Sequence, residues 1–332
     1  MKKPAIFSFI FILLLLSGCG SSKAPAESTF FAMDTVMGVR IWGGTQSDCD
    51  AVASLIHSLE KDLSVTQSDS AIYKLNHTGS GTLPKDAADL LRETLALSTR
   101  THSALDPTIY PIVQLWGFTT GDYRVPSAAE ISTALETVGT NHLTLEADNS
   151  ITLSSGTELD FGAVAKGYAA RESIALLQSR GVDTAILSLS GNIQTLGTKP
   201  DGSDWLIDIR DPQDESVAAA TLQISGTASI VTSGDYERYF EQDGVRYHHI
   251  MDPATGRPAD TGLSSVTIVA QDGLLADALS TALFIMGMEQ AQEFWRSSDD
   301  FEAVFITKDG ALLVTEGLSD HILCDNPQVI TR

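Results

Sequence analysis

The spacing of hydrophobic residues divides the chain into a mainly helical first half and a strand-rich second half. From Asp48 to Leu63, apolar residues recur every three or four positions, which is typical of one buried helix face. Ser127 and Glu130 form a capping box, which predicts that another helix begins there. The predicted helices are 48–63, 85–101, 127–138, 163–180 and 274–286.

Short apolar and alternating segments predict strands between and after these helices. The first is an opening strand over 29–42 that contains a bend, and the last two, 301–307 and 311–315, form a closing hairpin. Because strands and helices do not alternate regularly, the pattern favours an α+β fold over a doubly wound sheet. Residues 29–330 contain no linker and no internal repeat, so we expect one large domain. The other predicted strands are 143–146, 151–153, 184–189, 205–210, 218–224, 228–232, 245–250 and 263–270.

The N-terminus has the pattern of a bacterial export signal. A basic start precedes an apolar run over 4–16, which is shorter than the roughly 20 apolar residues of a membrane span. The sequence Leu-Ser-Gly before Cys19 resembles a lipobox, in which the cysteine is lipidated. We expect a signal peptide over 1–18, a lipidated tether over 19–28 and a folded domain over 29–330, anchored at the outer face of a bacterial cell membrane. An ordinary signal peptide with an incidental cysteine is the alternative.

Composition narrows the class of protein without identifying its chemistry. The chain has 332 residues, 43% of them hydrophobic, which excludes a disordered or collagen-like protein. Its net charge is −22, and removal of Lys2 and Lys3 with the signal lowers that charge to −24. A nucleic acid is therefore not an expected partner, since phosphate-backbone binding needs a basic face. Cys49 and Cys324 are the other cysteines, and either a disulfide or two free thiols fits an exported protein.

The sequence lacks the signature motifs of Rossmann dehydrogenases, P-loop NTPases, zincins and α/β-hydrolases. Three stretches remain in which polar residues and glycines interrupt apolar segments. In the first, residues 158–168, Lys166 lies in the first turn of a predicted helix. A helix start with a lysine suits a phosphate or pyrophosphate, and a tight turn with a surface lysine is the alternative.

The other two stretches supply a histidine and a carboxylate–hydroxyl pair. His248 and His249 are neighbours on a predicted strand, so they point to opposite faces and at most one serves a given site. That histidine suits a general base, or is a hydrogen-bonded structural residue. Asp277 and Thr281 share one helix face and suit Mg²⁺ with a substrate phosphate, or make only local helix contacts. Together, the three stretches would suit metal-assisted cleavage of a pyrophosphate.

These stretches resemble the ApbE family of FAD:protein FMN transferases over nearly the whole mature chain. The resemblance implies the family's reaction, in which FAD is cleaved, AMP is released and FMN is attached by a phosphoester bond to a threonine of a target protein. It also implies a requirement for Mg²⁺ and targets among exported or membrane redox proteins. The motifs that carry it include FAMDT (31–35), LDP (105–107), LWGF (115–118), DFGAVAKGY (160–168), SGN (190–192), TSGDY (232–236), HIMDPATG (249–256) and ADALST (276–281).

The resemblance also implies roles for individual residues. His249 would be the base that helps the acceptor threonine attack phosphorus, with Asp252 and the turn after it in the same wall. The metal ligands would be the backbone carbonyl of Ala163 and the side chains of Asp277 and Thr281. The residues expected to contact FAD are Met33, Ala104, Leu105, Asp106, Asp160, Lys166 and Met251.

The chain departs from the family pattern at several positions. Val65 and Thr66 occupy a segment in which relatives often carry an aromatic residue, so the residue that stacks on the flavin is not identified. Asp34 replaces a common glycine, while Asn192 and Ser280 stand where aspartate is frequent. Two other functions are alternatives. An FAD pyrophosphatase that releases FMN and AMP would share the metal and FAD residues, whereas a lipoprotein that only captures FAD would not need the Mg²⁺ pair Asp277 and Thr281.

Overall fold

The computed structural model describes residues 24–214 and 216–332. The predicted signal peptide, Cys19 and the first part of the tether lie outside these residues. Every predicted helix is present, and α2 and α4 are additional helices, too short to show a hydrophobic period. The helices are α1 (Gln46–Leu63), α2 (Ala71–Thr78), α3 (Lys85–Arg100), α4 (Tyr110–Leu115), α5 (Ala128–Leu135), α6 (Ala165–Ser179) and α7 (Gly273–Arg296).

The strands agree with the predicted segments and add several short ones. In chain order they are β1 (Ala26–Ala32), β2 (Thr35–Trp42), β3 (Ser80–Thr82), β4 (Leu143–Leu145), β5 (Ser150–Leu153), β6 (Thr184–Ser188), β7 (Asn192–Leu196), β8 (Trp205–Arg210), β9 (Ala218–Ile224), β10 (Ala228–Gly234), β11 (Tyr239–Gln242), β12 (Val245–His248), β13 (Met251–Asp252), β14 (Arg257–Pro258), β15 (Leu263–Ala270), β16 (Phe301–Thr307), β17 (Leu312–Thr315), β18 (Ile322–Leu323) and β19 (Gln328–Ile330).

A nine-stranded sheet forms the centre of the described chain, in the order β1-β2-β6-β7-β10-β15-β16-β17-β19. Its neighbouring strands are antiparallel, apart from the parallel pair β17 and β19 at one edge. The remaining strands form smaller sheets, such as the hairpin of β11 and β12 and the three-stranded sheet β18-β9-β8. This mainly antiparallel sheet with packed helices confirms the predicted α+β class.

The central sheet lies between two layers. Helices α1 and α6 cover one face, where Ile41 and Leu187 lie in the largest buried apolar cluster. The sheet of β8, β9 and β18 covers the other face, where Trp205 and Ile207 pack with Ile186. Ile186 and Leu187 are neighbours on β6, so the alternation of side chains along one strand joins the two layers.

Helix α7 packs over β10 and β15 and carries part of the site described below. Leu279 lies with Val266 and Ile268 in a second buried cluster. The helix is interrupted at Gly287, where φ is +75°, a conformation that glycine adopts without steric cost. The predicted helix end at 286 coincides with this interruption.

The N-terminal boundary of the domain differs from the predicted one. Strand β1 begins at Ala26, which pairs with Ile41, so residues 26–28 of the predicted tether belong to the sheet. These residues alternate between half-buried and exposed, but they are small or polar, and hydrophobic spacing does not detect them. The predicted opening strand is in fact two antiparallel strands joined by a turn at Met33 and Asp34.

Two further observations concern the anchor and the cysteines. In the part of the chain that the structure describes, none of the helices has the length and apolar character needed to cross a bilayer. Cys49 is buried on α1 and Cys324 is half-buried, and both are free thiols. They lie in different apolar clusters, so of the two alternatives left open by the sequence the structure has the unpaired thiols.

Candidate active site

A cavity of about 760 Å³ brings together segments that are far apart in the sequence. Its lining comes from the β1–β2 turn, the loop after α3, the start of α6, the ends of β7 and β10, and one face of α7. The predicted site residues found in this lining are Met33, Ala104, Leu105, Asp106, Asp160, Ala163, Lys166, His249, Met251, Asp277 and Thr281.

Helices α6 and α7 cross at two glycines beside this cavity. A Cβ on Gly167 would lie 2.1 Å from the backbone oxygen of Gly273, and a Cβ on Gly273 would lie 2.5 Å from that of Gly167. The two backbones therefore touch, which no larger residue would permit. This contact places the N–H of Gly167 at 2.7 Å from Oδ2 of Asp277, to which it donates. It also brings Lys166, in the first turn of α6, near the same carboxylate.

Asp277, Thr281 and Ile285 line the cavity along one face of α7, since residues four apart share a helix face. Asp277 is 5% exposed, and burial raises the pKa of its carboxyl to about 6. Lys166, the N–H of Gly167 and the side-chain amide of Asn192 oppose that rise. The carboxylate is therefore ionised at neutral pH, but at a cost that a bound cation would relieve.

The oxygen atoms near Asp277 are of the kind that Mg²⁺ prefers. The hydroxyl of Thr281 lies 3.2 Å from Oγ of Ser233, which lies 2.8 Å from Oγ of Ser280, and Ala163 lines the same cavity. Among the described residues, no three His, Cys, Asp or Glu side chains form a group that could hold a metal. An ion at Asp277 would take its other ligands from hydroxyl, carbonyl, substrate and water oxygens, which is how Mg²⁺ commonly binds. A buried carboxylate with these neighbours fits that ion.

His249 forms another part of the lining and is held in one tautomer. Its Nδ1 lies 3.2 Å from the backbone oxygen of Arg238, and because a carbonyl oxygen only accepts, Nδ1 carries the proton. The other ring nitrogen, Nε2, therefore has a free lone pair. Burial lowers the pKa of His249, and the positive charges of Arg238 and Lys166 lower it further. The imidazole is neutral near pH 7 and can accept a proton.

His248 points away from the cavity, as strand alternation predicts. It is 6% exposed, its Nε2 donates to the backbone oxygen of Ala259 at 3.0 Å, and its Nδ1 accepts from the N–H of Ile250 at 3.3 Å. Burial lowers its pKa to about 4. Of the two neighbouring histidines, only His249 lines the cavity, and His248 fixes the backbone next to it.

The β1–β2 turn and the loop after α3 are held by hydrogen bonds. Met33 and Asp34 both have positive φ, and the N–H of Met33 donates to Oε1 of Glu60 at 2.8 Å. Oδ1 of Asp106 accepts from the N–H and the hydroxyl of Thr108, at 2.8 and 2.6 Å. Burial nevertheless raises the pKa of Asp106. Both segments are therefore held in place by hydrogen bonds to neighbouring protein groups.

The loop that leads into α6 combines an acidic and a basic residue. Oδ1 of Asp160 accepts from the N–H of Gly162 at 2.7 Å, which closes the loop. Burial raises the pKa of Asp160, and Arg238 opposes that rise. Lys166 lines the same cavity, and its positive charge acts on both Asp277 and His249.

Asp252 lies outside the cavity lining, beside the lining residues Met251 and Pro253. Its Oδ1 accepts from the N–H of Ala254 and its Oδ2 from the hydroxyl of Thr255, both at 2.9 Å. The carboxylate therefore holds the turn that follows His249. A direct part for Asp252 in catalysis stays a prediction.

The structure adds Arg238 to the lining and gives places to three residues that the sequence marked without a role in the site. Asn192 is fully buried, and the guanidinium of Arg238 donates to the backbone oxygen of Phe118 at 2.9 Å. Ser233 and Phe118 line the cavity as well, and Phe118 brings an aromatic ring to it. In the sequence, Asn192 and Ser233 stand out only as polar residues in apolar strands. The pairing of those strands is what brings the two residues near α7.

Comparison with known proteins identifies the family. The model of the ApbE family matches residues 33–305. A protein of Klebsiella pneumoniae named FAD:protein FMN transferase is 35% identical over 283 residues, which cover 83% of this chain and 87% of that protein. A protein of the same name from Treponema pallidum is 32% identical over 351 residues, which cover 97% of each chain.

Solved structures show the same relationship. The crystal structure of the ApbE protein of Thermotoga maritima has a TM-score of 0.84 and 29% identity, covering 90% of this chain and 99% of that one. The flavin transferase ApbE of Vibrio cholerae has a TM-score of 0.79 and 26% identity, with the same coverage. Given the site described above and these matches over most of its length, the chain belongs to the ApbE family.

Proposed function

We propose that this chain is an Mg²⁺-dependent FAD:protein FMN transferase, which releases AMP from FAD and attaches FMN by a phosphoester bond to a threonine of another protein. The observation that carries the proposal is that one cavity holds a helix start with a lysine, a carboxylate–hydroxyl pair and a neutral histidine. Its volume of about 760 Å³ lies within the usual range of cofactor sites. The names of the curated relatives support the same activity.

Binding of FAD would depend on local positive charge in an acidic protein. The chain carries a net charge of −22, but Lys166 and Arg238 both line the cavity, and α6 begins there without a side-chain cap. The two cations and the positive end of the helix dipole suit the anionic pyrophosphate of FAD. Because the same two cations lower the pKa of His249, an anion bound between them would raise that pKa and make the imidazole a better base.

The transfer step follows from the tautomer of His249. The hydroxyl oxygen of the acceptor threonine forms a bond to the phosphorus of the FMN half, while the bond from that phosphorus to the bridging oxygen breaks. AMP leaves with the electron pair of the broken bond, and the threonine proton moves to Nε2 of His249. The Nδ1–H, bonded to the backbone oxygen of Arg238, holds the ring in place and stabilises the imidazolium that forms.

The metal would be held on the other helix of the site. Asp277, Thr281 and the carbonyl of Ala163 would bind Mg²⁺, which supplies positive charge to phosphate oxygens as negative charge develops on them. Lys166 adds a fixed cation beside them. The buried position of Asp277 at the α6–α7 crossing limits its movement, so the charge distribution is set before substrate binds.

The proposal extends to location and partner. Lipidation at Cys19 would hold the domain at the outer face of the cell membrane, and exported or membrane redox proteins with FMN-binding domains would be the acceptors. The signal sequence supports this location, and the acidity of the chain agrees with attachment by lipid, since anionic lipids do not attract it.

The test is incubation of the purified domain with FAD, Mg²⁺ and candidate exported FMN-binding domains, followed by in-gel flavin fluorescence and measurement of AMP. We expect a covalently fluorescent acceptor and one AMP for each FMN attached. Rapid release of AMP without an acceptor would instead identify an FAD pyrophosphatase. FAD that stays intact with Mg²⁺ and acceptor would identify a protein that only captures FAD.

A further inference from the structure

Asn192 is a buried polar residue of the cavity whose side chain makes no well-formed hydrogen bond. It is 0% exposed, and neither its Oδ1 nor its Nδ2 makes a hydrogen bond of ordinary length and angle, although the amide lies near enough to Asp277 to lower the pKa of that carboxyl. Its side chain is nevertheless part of the cavity lining. An unpaired buried amide costs about 1–3 kcal/mol, so natural proteins keep one mainly where it has a binding role.

The backbone before Asn192 is held in an unusual conformation. Ser190 and Gly191 have φ values of 54° and 78°, and the left-handed region is unfavourable for a serine. The N–H of Thr232 donates to the oxygen of Gly191 at 3.0 Å, and Asn192 pairs with Val231 of β10. The chain therefore turns sharply and then fixes Asn192 at the first position of β7.

The side chain of Asn192 faces the N-terminal part of α7. Gln194 lies two residues further along β7, hence on the same side, and its Oε1 is 3.3 Å from the position of a Cβ on Gly273. Gly273 is one turn before Asp277 on α7, and Asn192 and Asp277 line the same cavity. One oxygen of that carboxylate already accepts the N–H of Gly167, which leaves the other for a second donor.

We infer that Asn192 belongs to the magnesium site of the proposed transferase as a positioning residue for Asp277. Its amide nitrogen is suited to hold the free oxygen of the carboxylate, and its amide oxygen is available to the ion or to water on the ion. Partners of this kind, which orient a metal ligand, typically change metal affinity 10–100-fold when removed. The inference rests on the proposed function, because that function places Mg²⁺ at Asp277.

Magnesium binding without catalysis tests this inference. Thermal unfolding is followed during a Mg²⁺ titration, alone and with ADP as a pyrophosphate probe, for the wild type, Asn192→Ala, Asn192→Asp and Ser229→Ala. We expect Asn192→Ala to weaken Mg²⁺ binding at least about tenfold, while Asn192→Asp, which loses the amide N–H but places a second carboxylate beside the ion, binds within a few-fold of the wild type. Ser229 is the matched control, because its hydroxyl is also buried and unpartnered but lies outside the cavity lining.

Wild-type Mg²⁺ affinity in Asn192→Ala would overturn the inference, as would a wild type whose unfolding Mg²⁺ does not shift with or without ADP. If the alanine variant does not fold, Asn192→Ser takes its place with the same expectation. Failure of the transferase proposal is a different result: the wild type would bind Mg²⁺ and depend on Asn192, yet form no flavinylated acceptor.

Discussion

The two chemical walls of the cavity are built by different means. The metal wall, which carries Lys166 and Asp277, depends on backbone contact between α6 and α7 at Gly167 and Gly273. The base wall, which carries His249, lies in a loop after the small hairpin of β11 and β12, outside the central sheet. In the metal wall the helix backbones are in contact and cannot move closer, whereas the base wall is held by side-chain packing.

Aromatic side chains fill the space behind the base wall. The ring of Phe118 lies 6.3 Å from that of His249, and Phe240 stacks between Tyr247 and Tyr123, with ring centres 5.2 Å apart in each pair. Tyr123 is 46% exposed, so this cluster reaches the protein surface. The difference between the walls suits the proposed reaction, in which one wall fixes charge and the other receives a protein acceptor.

The largest expected effect comes from breaking the metal wall at its glycine crossing. In Gly167→Ala, the new Cβ would meet backbone atoms of α7, which cannot rotate away. We expect a loss of about 3 kcal/mol in the free energy of unfolding, together with loss of Mg²⁺ binding. Urea denaturation measures the change in the free energy of unfolding. Gly38→Ala is the control, since a Cβ at Gly38 has open space, and equal losses in the two variants would contradict a tight crossing.

As the pH falls, the free energy of unfolding should lose the contribution of His248, next to the base wall, and gain a smaller one from Asp277 in the metal wall. The pKa of His248 is about 4 in the folded protein, below its ordinary 6.5, so the unfolded chain binds this proton first as the pH falls. The stability contributed by neutral His248 is therefore complete above pH 6.5 and decreases toward pH 4, by up to about 3 kcal/mol. Asp277 acts in the opposite sense, because its pKa of about 6 lies above the ordinary value and protonation favours the folded state.

Urea midpoints measured between pH 7.5 and pH 4.5 separate these contributions. His248→Gln should flatten the acid side of the curve relative to the wild type, and Asp277→Asn should steepen it. The control readout is the midpoint at pH 7.5, from which each variant's own change in stability is subtracted. A wild-type curve that His248→Gln leaves unchanged in shape would mean that His248 is not held neutral by its surroundings.

The smallest expected effect concerns the turn next to His249. Because the carboxylate of Asp252 accepts hydrogen bonds within its own turn, Asp252→Ala should cost about 1 kcal/mol of stability. Its transfer rate should fall less than about tenfold, since the general base remains in place. Single-turnover rates measure this, with Thr255→Val as a matched loss of one turn hydrogen bond. A fall of a thousandfold would assign Asp252 a direct part in catalysis.

The sequence predicts the residues of the metal wall better than those of the base wall. Helical spacing placed Asp277 and Thr281 on one face, and the predicted helix start placed Lys166 in the first turn of α6, because both depend on neighbours within a few residues. The close crossing of Gly167 and Gly273 did not follow, because it joins residues more than a hundred positions apart.

On the base wall, strand alternation separated His248 from His249, but the tautomer of His249 depends on Arg238, which lies across the hairpin. Asn192 shows the same limit, since its unpaired amide is visible only once β7 pairs with β10. The short helices and the early start of β1 were missed for a local reason: their residues are too few or too polar to give a period.

The most direct test of the central claim is the rate of the transfer step in His249→Asn. AMP release and acceptor flavinylation are followed together in single turnovers with Mg²⁺, with FAD and Mg²⁺ binding measured separately. We predict that both rates fall together by at least about a hundredfold while the two affinities stay within a few-fold of the wild type. Flavinylation of the acceptor at the wild-type rate in this variant would contradict the account.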